Sequence, residues 1–98
     1  MKFIEVTQED IKLSRKLIEK TNIRSTNYPI CLALKRSFPE KQIAIVSGLD
    51  DVRQVLIDGV LYDIWCDPVK YCDVSVFLNR FDLGREVYPF VCEINLDD

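Results

Sequence analysis

The chain has 98 residues, 48% of them hydrophobic and 30% charged, with a net charge of -3, four cysteines and no histidine. That length holds one modest core, and the apolar fraction is too high and the net charge too low for a disordered chain. Without histidine there is no Ser-His or Cys-His nucleophile pair and no imidazole metal ligand.

Lys2 to Val6 reads as a short strand. Thr7 is placed to cap a following helix, and Asp10 three residues later completes a variant capping box. From Gln8 to Lys20 the helical wheel sets Ile11, Leu13, Ser14, Leu17 and Ile18 against Lys12, Arg15, Lys16, Glu19 and Lys20. The polar stretch Thr21 to Asn27 reads as a loop. Pro29 suits the first turn of a second helix, whose face is Ile30, Ala33, Leu34, Ser37 and Phe38 and which stops near Pro39. Lys35 and Arg36 occupy the opposite face of that helix, near its C-terminal end, where cations are favoured.

The period then changes from helix to strand. Gln42–Ser47, Val52–Ile57 and Val60–Trp65 are β-type runs, and Asp58-Gly59 is a two-residue hairpin signal. Asp67-Pro68 predicts a helix start, with the helix running to about Asp82 and stopping at Gly84. This helix carries two apolar stripes: Tyr71, Val74, Phe77, Leu78 and Phe81, and Val69, Cys72, Val76 and Leu83. A helix apolar on two sides is expected to be packed between two layers of the fold, or else to use the second stripe as a surface for a partner or a homodimer. A last strand is expected from Val87 to Leu96, alternating Phe90, Cys92, Ile94 and Leu96 with Val91, Glu93 and Asn95. The order β-α-α-β-β-β-α-β predicts a single α+β domain over residues 1–98, with helices packed on a mainly antiparallel sheet.

No basic start followed by an apolar run of signal-peptide length is present, and no stretch approaches the ~20 apolar residues of a membrane helix, so the expected compartment is cytoplasmic, with no membrane contact. Cys31, Cys66, Cys72 and Cys92 form no Cys-x-x-Cys pair and are expected as buried reduced thiols, with no metal and no cofactor. The glycines Gly48, Gly59 and Gly84 are spent on turns and a cap, so no glycine-rich phosphate loop is present. Paired carboxylates occur at Asp50-Asp51 and Asp97-Asp98, in a turn and a terminal tail, and Asp58, Asp63, Asp67 and Asp73 assemble no reaction class. No catalytic residue is assigned, and the expectation is a non-enzymatic protein.

Charge is unevenly distributed. Residues 11–41 carry eight basic side chains against two acidic ones, whereas residues 42–98 carry four against eleven. The basic set Lys12, Arg15, Lys16, Lys20, Arg24, Lys35 and Arg36 is the candidate partner-binding surface, for an acidic protein or for phosphates.

Two segments carry a resemblance. Pro29-Ile30-Cys31-Leu32-Ala33-Leu34-Lys35-Arg36 resembles the Cys-Pro-Ile-Ala-Leu-Ala-Leu helix of a family of small proteins of phages and prophage regions, and Phe81-Asp82-Leu83-Gly84…Val87-Tyr88-Pro89-Phe90 resembles its Phe-Asp-x-Gly…Val-x-Pro-Phe ending. Tyr28 stands where that family usually has Cys, and Cys92 where it has a second Phe. The family has no established activity, so no functional residue carries over. The resemblance implies a mobile-element accessory protein. Such proteins often bind and block host machinery, including defence nucleases such as CRISPR effectors. The leading expectation is therefore an inhibitor of a host defence complex that acts by occlusion or charge mimicry. The alternative is a nucleic-acid-binding module using the basic helical face.

Overall fold

A computed structural model describes residues 2–47, 53–66 and 74–95. The elements are β1 (Lys2–Val6), α1 (Gln8–Thr21), α2 (Pro29–Ser37), β2 (Ile43–Ser47), β3 (Arg53–Ile57), β4 (Val60–Cys66), α3 (Val74–Asp82) and β5 (Phe90–Ile94). The five strands form one antiparallel sheet in the order β1-β5-β4-β3-β2. The expected α+β architecture and element order are both present.

Local chemistry sets the element ends. Thr7 Oγ1 accepts from Asp10 N at 3.2 Å while Asp10 Oδ2 accepts from Thr7 N at 2.9 Å, a reciprocal cap that begins α1. Asn22, at φ 57, ends it in the left-handed conformation. Pro29 is the first residue of α2. At the end of α3, Gly84 N donates to Phe81 O and Arg85 N to Arg80 O with Gly84 at φ 74, which is the Schellman arrangement. Asp58 and Gly59 take φ 48 and 84 between β3 and β4, as a two-residue hairpin turn of twisted strands requires.

Strand β4 is shared end to end. Its first half pairs with β3 from Val60↔Ile57 to Asp63↔Gln54, and its second half pairs with β5 from Ile64↔Ile94 to Cys66↔Cys92. Helix α2 packs against both outer strands, β1 and β2, so the sheet curls around it. Both edges are held: Arg36 Nη2 donates to Glu5 O on β1 at 2.9 Å, and Ile45 N on β2 donates to Ser25 O at 2.8 Å. Such contacts occupy edge groups that would otherwise pair with another chain.

One sheet face and the three helices enclose the core. Ile4 and Val6, Ile43 and Ile45, Val55 and Ile57, and Cys92 and Ile94 point inward, against Ile11, Ile30, Leu34, Phe77 and Leu78. Phe77 packs on Phe90 with ring centroids 4.6 Å apart. Leu13, expected on the inner side of α1, is half-exposed, whereas Asp10 is buried. At about 100° per residue Leu13 lies roughly 160° around the helix from Ile11, beyond the arc shared by Ile11, Ser14 and Ile18. On α2, Ser37 is exposed and Phe38 only half-buried, because the helix ends there. The last strand is shorter than expected, and Pro89 precedes its ladder. The expected helix start at Asp67-Pro68, the first turns through Tyr71 and Asp73, Val52, and the acidic pairs Asp50-Asp51 and Asp97-Asp98 lie outside the described residues.

Candidate functional site

The seven basic residues separate into two groups. Arg15 reaches back under α1: Nη1 donates to Phe81 O at 3.3 Å, Nη2 to Arg85 O at 2.6 Å, and its guanidinium lies 4.4 Å from the centroid of the Phe81 ring. Arg24 pairs with Asp82 at 2.9 Å. Arg36 pairs with the buried Asp10 at 2.9 Å. Lys35 Nζ donates to Thr26 O at 3.5 Å. These four cations hold loops and helix ends in place. Lys12, Lys16 and Lys20 recur every fourth residue on α1, all exposed, and so form a single outward ridge.

A cavity of about 440 Å³ opens at the β2 margin, lined by Lys35, Lys41, Thr26, Gln42, Ala44 and Leu56 among others. Among the described residues the charged side chains that line it are both lysines.

The opposite side of the sheet has a different chemistry. On β1, β5 and β4 the outward positions are Phe3, Glu5, Val91, Glu93, Leu61, Asp63 and Trp65. Phe3 is 64% exposed, Trp65 54% and Leu61 51%. The registers set Phe3 and Trp65 directly opposite Glu93 from its two sides, in one row across three strands. Asp63 accepts a hydrogen bond from Gln54 Nε2 at 2.9 Å. Among the described residues the outward positions of all five strands carry three carboxylates and no cation. Sequence reasoning missed this face. Its signal was the out-of-phase apolar residues of alternating strands, Phe3 beside Glu5 and Leu61 and Trp65 about Asp63, where a solvated face would carry polar side chains.

Of the second α3 stripe, Val76 and Leu83 are exposed, while Val69 and Cys72 lie outside the described residues. Cys31, Cys66 and Cys92 are buried. Burial pushes the Cys31 thiol up to about 12, against which nearby Lys35 acts. Burial, reinforced by the neighbouring Cys66, pushes Cys92 up to about 12. Thiols held protonated in this way are poor nucleophiles. Among the described residues no three potential ligands gather as a metal site, and no helix is long and apolar enough to cross a membrane.

No protein-family model, no curated protein and no solved structure matches the chain.

Proposed function

We propose that this domain is a protein-interaction module that acts by occupying a partner's surface rather than by catalysis. The observation that carries this reading is the open sheet face, on which Phe3, Leu61 and Trp65 are each at least half-exposed. Large apolar side chains gathered on one face and rimmed by charge are the usual mark of a protein-binding surface. The phage-like resemblance adds a context: an accessory protein of a mobile element that occludes a host defence complex of the CRISPR type. The carboxylates of the same face suit mimicry of a nucleic-acid backbone.

The test is titration of the purified protein into a reconstituted defence effector, with target-DNA binding as the readout. Inhibition saturating at a fixed stoichiometry, with affinity in the nanomolar to micromolar range of roughly -8 to -12 kcal/mol, is the expected result. Trp65→Ser should weaken it at least tenfold. Unimpaired DNA binding at micromolar inhibitor sinks the defence-complex reading.

A second reading rests on the Lys12, Lys16 and Lys20 ridge, which is available to phosphates. Three lysine contacts predict an electrophoretic shift whose affinity falls with salt at a log-log slope of about -3. A shift that persists in the Lys12→Ala, Lys16→Ala, Lys20→Ala triple variant rules out that ridge.

A further inference from the structure

The open face has a charge pattern as well as apolar area. Phe3, Glu93 and Trp65 form one row across β1, β5 and β4. Two strand spacings put the outer members of that row about 10 Å apart at the backbone. A cation standing over Glu93 is then flanked by an aromatic side chain one strand spacing away on each side, and aromatic faces attract cations at close range. The carboxylate below supplies the counter-charge. A guanidinium fits this place better than an ammonium, because its plane stacks on rings while its N–H groups pair with a carboxylate.

A second line crosses the first. Glu5 faces Val91, two residues from Glu93 on β5, and Asp63 is two residues from Trp65, which faces Glu93. Glu5 and Asp63 are therefore diagonal neighbours of Glu93, on opposite sides and along one direction. Each step is roughly 8 Å. Alternate residues of an extended chain are about 7 Å apart and point the same way. A line of three carboxylates at that spacing matches a strand-like segment with basic residues at every second position.

We propose that this face seats an extended basic segment of the partner protein, crossing β1, β5 and β4 diagonally. An arginine lies over Glu93 between Phe3 and Trp65, and further cations lie over Glu5 and Asp63. The occupant argued for is a peptide segment with net positive charge, because among the described residues the outward side chains of β1, β5 and β4 are acidic, aromatic or aliphatic and include no cation, Lys2 of β1 lying in the inward phase with its Nζ over the Phe38 ring. The inference rests on the interaction-module reading and names the chemistry of the partner.

Trp65 is the only tryptophan of the chain, so its fluorescence reports this seat directly. The probe is an acetylated, amidated Arg-Thr-Arg-Thr-Arg peptide, with Glu-Thr-Glu-Thr-Glu as the charge-reversed comparison. The expected result is a saturable Trp65 signal with the arginine peptide alone, weakened at least tenfold by Glu93→Gln and severalfold by Phe3→Ala. Thermal melts establish that both variants fold. Raising salt from 50 to 500 mM should weaken binding by more than tenfold. Equal binding of the acidic peptide, or binding by Glu93→Gln within twofold of the parent, overturns the proposal. So does concentration-dependent dimerisation in sedimentation that Trp65→Ser abolishes, since a second copy then fills the face. Glu93-dependent peptide binding without inhibition of a defence effector supports the seat and removes only the host-complex reading. A Trp65-dependent protein partner combined with no peptide binding does the reverse.

Discussion

The Tyr28 hydroxyl donates to the Asp82 carboxylate at 3.0 Å, joining the start of α2 to the end of α3 across 54 residues of chain. The Tyr28 ring also meets the Phe81 ring edge-on, with centroids 5.9 Å apart. The residue that precedes α2 and the last turn of α3 are thus packed on each other, with Arg24 completing the contact at Asp82. Tyr28→Phe should lower stability by about 1.5 kcal/mol, since a charged acceptor loses its buried donor. Asp82→Ala should cost about as much or slightly more; its pairing with Arg24 adds little because that pair is solvent-exposed. Urea midpoints measure both. No change in Tyr28→Phe would show that ring packing alone locks the two segments.

Arg36 belongs to the fold rather than to a free basic face. Its partner Asp10 is buried, and the same Asp10 oxygen also caps α1. Reversing charge at Arg36 sets a carboxylate against an enclosed one. Arg36→Glu should therefore destabilise the domain by about 2–3 kcal/mol. Lys12→Glu, Lys16→Glu and Lys20→Glu, on solvated positions, should each stay within about 0.5 kcal/mol. A binding defect in Arg36→Glu is uninterpretable without its melting curve, whereas one in Lys16→Glu reports the surface. Equal melting temperatures for Arg36→Glu and Lys16→Glu would contradict this division.

The buried thiols make stability depend on pH at the alkaline end. Cys31 and Cys92 are pushed up to about 12 in the folded protein, from 9.0 in the ordinary case. Below pH 9 both states hold the thiol protons, and the full stability is present. As pH rises from 9 toward 12 the unfolded chain loses those protons first, so the folded state loses its advantage. At pH 10.5 the loss should be about 1–2 kcal/mol for each thiol. Cys31→Ala removes one such group. The stability gap between parent and variant, read from urea midpoints under reductant, should narrow between pH 8 and 10.5. A constant gap means Cys31 does not contribute to the dependence.

The features legible in the sequence are those that short segments decide. Thr7 and Asp10 cap α1 within three residues, Asp58-Gly59 turns β3 into β4 by itself, and Phe90, Cys92 and Ile94 alternate regardless of neighbours. What was not legible depends on which strand lies beside which. Nothing local sets β5 between β1 and β4, yet that order alone brings Phe3, Glu93 and Trp65 into one row. The same holds for Arg15: its spacing on α1 reads as solvated, and only the packing of α3 draws its long side chain over Phe81. Four of the seven basic residues left the candidate surface through such packing, and the open face emerged for the same reason.

Two leucines separate folding from binding. Leu34 is fully buried on α2 beneath the curled sheet, and Leu61 is half-exposed on the open face opposite Leu56. Leu34→Ala removes packed methyl groups and leaves a cavity, and should cost about 2–5 kcal/mol. Leu61→Ala loses only a cross-strand contact and part of its burial, and should cost less than about 1 kcal/mol. If the open face exists to meet a partner, the ranking inverts in a binding assay. Leu61→Ala should weaken partner affinity several-fold at unchanged melting temperature, while Leu34→Ala should bind normally wherever it remains folded. Should Leu61→Ala unfold as readily as Leu34→Ala, its side chain serves the fold, and the open face loses one of its three exposed apolar anchors.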